Sequence, residues 1–255
     1  DVSVLSGGKF TIGGQGSTFI GGTYTVSGAD SSLKFQGGLD GLSGGRIEGG
    51  TVTLTGDTST KLVLEGGGLK NTTVSAGGSS VLELATACYN TNIGPYCPSN
   101  ALDKVTLTGN LVSNNNATLV RNSFAHLSGT ATFKDSGLAI EGAVTFSGNS
   151  AMLLNNSGIG SSGGSASTPL AFVNSAGHTI SGSNGSSISL PTHTLNNAGL
   201  IEATGAPTAP ATHSLVVAAP TALTATPNVN SGRLQARDGG ILQLYGKFDN
   251  TAGDV

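Results

Sequence analysis

The sequence predicts an all-β fold: a β-solenoid with turns of roughly 22 residues and a few loop excursions. Three observations predict it. An asparagine, a short spacer, a glycine and then alternating apolar residues recur at Asn174-Ser175-Ala176-Gly177, Asn196-Asn197-Ala198-Gly199, Asn230-Ser231-Gly232 and Asn250-Thr251-Ala252-Gly253. Glycine pairs followed by period-two strands recur earlier, at Gly7-Gly8, Gly21-Gly22, Gly49-Gly50 and Gly77-Gly78. No stretch sustains a 3.6-residue apolar pattern with caps, so almost no helix is expected.

The spacing sets the turn. Gly177 and Gly199 are 22 residues apart, and Gly232 and Gly253 are 21 apart. One turn alone leaves an apolar face and two strand edges open. The next turn buries the face and pairs the edges. At ~4.8 Å per turn, about eleven or twelve turns make a rod of ~50–60 Å. Each strand carries the pattern itself: in Lys9-Phe10-Thr11-Ile12 and Thr23-Tyr24-Thr25-Val26 one face is apolar and the other is Lys or Thr. Stacked corners also explain the asparagines. Asn174, Asn196, Asn230 and Asn250, one above another, are expected to form a ladder in which each amide bonds the next.

The chain reads as a single solenoid over 1–255 with excursions at 86–103, 157–168 and 205–227. The last is rich in Pro, Ala and Thr, and proline cannot donate to a strand ladder. Its run Leu215-Val216-Val217-Ala218-Ala219 is expected to add a short extra strand. In the first excursion Cys88 and Cys97 flank Gly94-Pro95, which turns the chain back. A disulfide is the preferred reading and would stabilise by about 2–3 kcal/mol. A zinc site or two free thiols are the alternatives. A disulfide implies an oxidising compartment.

Composition removes several function classes. The chain has 255 residues, 41 of them glycine, a net charge of -3 and no tryptophan. That balance gives no electrostatic footprint for nucleic acid. No apolar run of ~18 residues exists, so no membrane insertion is expected. No cofactor is expected either. His126, His178, His193 and His213 are dispersed, and the acids are isolated along the chain. A single Gly37-Gly38-Leu39-Asp40 is one copy of a calcium motif that works only by iteration.

The two termini match in pattern. Joined with the Asp-Val pair shared, Gly253-Asp254-Val255 runs into Asp1-Val2, and Val2, Val4, Gly7-Gly8, Phe10 and Ile12 fall where Leu234, Ala236, Gly239-Gly240, Leu242 and Leu244 fall after Gly232. The chain is therefore expected to be one period of a tandem array, or a subunit that stacks on copies of itself. The absence of an initiator Met and a signal peptide agrees with an internal piece of something longer.

The stretches "NNAGLIEA" and "NSGRLQARDGGILQLYGKFDNTAG", with the low charge, resemble bacterial filamentous-haemagglutinin-like adhesins and autotransporter passengers. The resemblance implies a right-handed parallel β-helix, export to the cell surface, and a role as stalk, adhesin or matrix fibre. Glycans or a neighbouring cell surface become expected partners. A carbohydrate-active β-helix enzyme or a tailspike-like glycan-binding protein is the alternative. The enzyme would need two carboxylates ~5–10 Å apart in a groove.

Overall fold

The computed structural model describes residues 1–13, 17–37, 45–86, 88–91, 94–97, 99–162, 169–220 and 227–255. Among them there is no helix. The chain winds through three faces in strict order. Val2–Leu5 lies on the first, Lys9–Gly13 on the second and Thr18–Ile20 on the third. Thr23–Ser27 then returns to the first face, parallel to Val2–Leu5. Every later turn repeats this, which makes the fold a parallel β-helix. The second face is one sheet of ten strands, and the other two faces merge into one sheet of eighteen.

The merger has a local cause. Asn100–Thr108, Ala117–Ser128 and Gly137–Ser147 run from the third face into the first without a break. Each bends at one left-handed residue, Lys104 (φ 52), Asn122 (φ 59) or Gly142 (φ 77). Such a residue bends the strand and shifts its register, which turns the corner while pairing resumes on the far side.

Register shows the period. Val2 pairs with Tyr24 and Val52 with Val74, 22 residues on in both cases. Longer steps carry the excursions: Val74 pairs with Leu107 and Asn197 with Asn230, each 33 residues on. The second face has ten strands and the first has a further one, Phe248–Asp249. The described rod is thus ten turns and part of another, about 50 Å at ~4.8 Å per turn, slightly fewer turns than the spacing implied.

The excursions are shorter than the composition implied. Asn100–Thr108 is already strand, so the first ends before Asn100. Gly158–Ser162 is strand too, which leaves 163–168 of the second, outside the described residues. Leu215–Ala218 is not an extra strand. It is the third-face strand of its own turn, pairing Ile188 with Val217 and Val217 with Leu244. Its apolar residues were hidden inside a Pro/Ala/Thr-rich context, but they alternate as any face strand must.

The core fills the bore with like residues on like. Val4, Val26, Leu54 and Ala76 form one column of the first face. Leu33, Leu62, Leu82 and Leu111 form one of the second, all fully buried. Each such leucine stabilises by roughly 1.5–3 kcal/mol relative to exposure. Further along, Phe124, Phe146 and Phe172 pack edge to face with centroids 6.1 and 5.1 Å apart.

Outside, charge alternates along one column at the end of the third face. Glu48, Lys70, Asp103, Arg121 and Glu141 pair in register, one turn to the next. Lys70 Nζ lies 2.7 Å from Glu48 and Arg121 Nη2 lies 2.7 Å from Glu141. The Lys70 hydrogen bond holds the Glu48 carboxyl below the usual carboxylate range.

Candidate functional site

The polar features gather at the corners and the ends. At the corner from first to second face, the asparagine ladder forms, with one residue changed. Asn174 Nδ2 donates to Asn197 Oδ1 at 2.7 Å, Asn197 Nδ2 donates to Asn230 Oδ1 at 2.7 Å, and Asn230 Nδ2 donates to Asn250 Oδ1. The expected Asn196 is not a rung. Asn174 pairs with Asn197 in strand register, so Asn196 falls on the opposite parity and is half-exposed. A one-residue shift on a strand exchanges inside for outside.

The glycine of the motif has a stacking role. A Cβ on Gly199 would sit 2.3 Å from the His178 carbonyl oxygen, one on Gly232 would sit 2.1 Å from that of Gly199, and one on Gly253 would sit 2.4 Å from that of Asn230. Successive corners touch backbone to backbone, and only a residue without a side chain fits.

Sequence reasoning missed the cap of this ladder. His178 is fully buried and its Nδ1 lies 2.7 Å from Asn174 Oδ1. Asn174 already donates through Nδ2, so its Oδ1 accepts and His178 Nδ1 carries the proton. His178 Nε2 is buried without a partner, as is Nδ1 of the fully buried His126. The two rings lie at either end of one aromatic pair: His126 against Phe124, which packs on Phe146, and His178 against Phe146 at 6.0 Å. Burial, with His126 nearby, pushes the His178 pKa down to about 4. Burial lowers that of His126 as well. The available signal was a titratable residue directly after a corner glycine. His193 is also buried, with Nε2 2.8 Å from the Gly142 carbonyl.

At the corner from second to third face, left-handed residues turn the chain: Asn115, Asp135 and Asn156 singly and Asn184 followed by Gly185, the four non-glycine residues with φ between 48 and 52. Beneath them runs a ladder of buried serines. Ser136 N donates to Ser157 Oγ at 3.0 Å and Ser157 N to Ser186 Oγ at 3.3 Å. Against this corner stands a loop whose base is pinched where Ser214 Oγ donates to the Gly205 carbonyl. The cleft between loop and corner has a volume of about 510 Å³.

Cys88 and Cys97 form a disulfide, as expected, with Cα atoms 4.1 Å apart. It closes an antiparallel hairpin of Tyr89–Thr91 and Gly94–Tyr96. A bond of this kind persists in non-reducing surroundings. No helix of the described residues is long and apolar enough to cross a membrane. No group of three His, Cys, Asp or Glu among them is placed to hold a metal ion. The single calcium-like stretch lies mostly outside the described residues, which omit Gly38, Leu39 and Asp40. On the second face Glu65 and Glu83 share a groove, but Lys34 pairs with Glu65 at 3.2 Å and Lys61 with Glu83 at 2.7 Å.

Both ends of the rod are open among the described residues. Val2–Leu5, Lys9–Gly13 and Thr18–Ile20 each pair on one side alone. So do Leu242–Tyr245 and Phe248–Asp249 at the other end. Of the exposed large apolar residues, Leu5 (55%), Phe10 (44%) and Ile20 (83%) lie on the first turn, and Ile241 (43%), Tyr245 (56%) and Val255 (80%) on the last. Between the ends, Leu127 and Leu153 complete that set.

The expected junction residues sit at these ends. Asp1 Oδ1 accepts from Thr23 N at 3.0 Å, Val2 is half-buried and Val4 is buried. Gly253 covers Asn230, and Asp254 bridges to Arg233 on the second face. Here the matched pattern crosses faces. Val2 lies on the first face and Leu234 on the second. A head-to-tail join of this form therefore turns each unit by one face relative to the last. Compared with known protein families, with characterised proteins and with solved structures, the chain matches none.

Proposed function

We propose that this chain is a structural and adhesive module of an extracellular surface fibre, joined or stacked end to end with copies of itself. One observation carries the reading: exposed large apolar side chains concentrate on the first and last turns, beside strand edges with no partner. A solenoid that ends in solution needs polar capping turns, and an open edge is a template for another strand. Here the ends pair apolar residues with free backbone donors and acceptors, which suits a further turn of the same kind. The disulfide fits an oxidising, extracytoplasmic setting. The fibre's mechanics would come from the backbone ladders and the filled bore.

The test is association measured against end-specific variants. Sedimentation and electron microscopy of the wild type are expected to show rods whose lengths are multiples of about 50 Å. Ile20→Lys combined with Tyr245→Lys places a charge at each end and is expected to leave single modules. Wild-type protein that stays monomeric at about 100 μM, well above a micromolar dissociation constant, would overturn stacking.

A further inference from the structure

We propose that the cleft between the loop 205–214 and the second-to-third-face corner binds a neutral saccharide unit of a glycan. This gives a ligand class to the adhesive half of the proposed function and rests on that reading, but not on end-to-end stacking.

The loop is more than the fold requires. The four corners before it in this column are tight: Asn115, Asp135 and Asn156 each turn the chain alone, and Asn184 does so with Gly185. Here the chain leaves at Gly205, returns at Ser214, and is fastened at the neck by the Ser214 hydroxyl on the Gly205 carbonyl. Compact loops closed at the neck are frequent binding elements. Three further bonds preform its shape. Gly185 N donates to the His213 carbonyl at 3.0 Å, Ala211 N to the Thr208 carbonyl at 2.9 Å, and Thr208 Oγ1 to Asn184 Oδ1 at 3.2 Å. A site already shaped loses less entropy on binding.

The lining selects the ligand chemistry. Asn155, Asn156, Asn184, Thr212 and His213 supply its polar groups, and no Asp, Glu, Lys or Arg lines it. Apart from the His213 imidazole, charged ligands therefore find no counter-charge. Hydroxyl groups, which both donate and accept, match side-chain amides and Thr hydroxyls. Asn184 is used as scaffold, donating to Asn155 Oδ1 at 2.9 Å while accepting from Thr208. Asn156 donates to Asp135 Oδ1 at 2.7 Å. Neither bond uses Asn156 Oδ1 or Asn155 Nδ2. The opposite wall, Ala209-Pro210-Ala211, is apolar and suits the C–H face of a pyranose ring. A cleft of about 510 Å³ is of the size that holds a small ligand.

The experiment is a titration of the full chain, followed by the side-chain amide signals of Asn155, Asn156 and Asn184 in ¹⁵N-correlated NMR spectra. The probes are trisaccharides of β1,4-linked N-acetylglucosamine, of galactose and of mannose, with a sialylated trisaccharide as the charged control. At least one neutral probe is expected to shift these signals with a roughly millimolar dissociation constant, the range for one small subsite. Thr212→Ala and His213→Ala lie on the loop and are expected to weaken that binding about 3–10-fold, the loss of one hydrogen bond. Their thermal unfolding should be unchanged. No shift with any neutral probe, equal affinity for the charged control, or undiminished affinity in both variants overturns the proposal. Running the titration on the Ile20→Lys, Tyr245→Lys protein separates it from stacking: binding there with no fibres in the wild type rejects stacking alone.

Discussion

Acid should weaken this solenoid at its middle, and His178 is the reason. Its ring is fully buried, its Nδ1 proton is committed to Asn174, and its Nε2 has no acceptor for a second proton. The folded pKa is about 4, whereas an unfolded histidine titrates near ~6.5. The sign follows from linkage. A histidine held neutral by the fold contributes stability that is complete above the unfolded value and is lost as pH falls from there toward the folded one. Between pH 7 and pH 5 the loss from this residue is about 2 kcal/mol, from ~1.4 kcal/mol per pK unit. His126, shifted the same way, adds to it. Glu48 and Glu202, whose carboxyls are held low, lose their contributions only below ~4.5, so this window isolates the histidines. The assay is the urea midpoint at both pH values for wild type and His178→Asn, whose amide can still donate to Asn174. The variant starts less stable, having lost its contact with Phe146, but its pH dependence should shrink by about 2 kcal/mol. An unchanged dependence would refute the assignment.

Three further outcomes follow from the corners and the core. Asn197→Ala leaves Asn174 Nδ2 and Asn230 Oδ1 without their rung and should cost about 2–4 kcal/mol in chemical denaturation, whereas Asn196→Ala should stay within ~0.5 kcal/mol. Phe146→Ala opens the aromatic stack between Phe124 and Phe172 and should cost about 3–5 kcal/mol by the same measurement. Reduction of Cys88–Cys97 opens no gap in the three faces, so circular dichroism should keep its strand signal while the urea midpoint falls by the equivalent of about 2–3 kcal/mol.

How far the sequence could be read depended on what kind of interaction set each feature. Period-two alternation and recurring glycines made the parallel β-helix legible, because burial of a face and close corner packing act on every turn alike. The disulfide was legible because its two cysteines bracket a turn. The phase of individual corners was not. Asn196 and Asn197 are adjacent and chemically identical, and only the bend before them decides which points inward. Leu215–Ala218 could not be assigned to its face, since the length of the preceding loop hides the register. The three strands that run through a corner depend on one left-handed residue each, and Lys104 carries no local mark of it. The saccharide cleft was invisible for a different reason. Asn156, Asn184 and His213 come from successive turns, and only stacking brings them to one place.

The asparagine ladder has one more consequence. All its amides donate in the same sense, from His178 at one end toward Asn250 at the other, where Asn250 Nδ2 reaches the Gly253 carbonyl. The corner is thus a row of aligned dipoles, and the rod has an arrow. A neighbour arriving in the same direction continues the parallel backbone ladders, while one arriving reversed at this end sets the Asn250 poles of two rows together. Fibres made of such modules would be one-way objects, with distinguishable ends and a defined direction of growth.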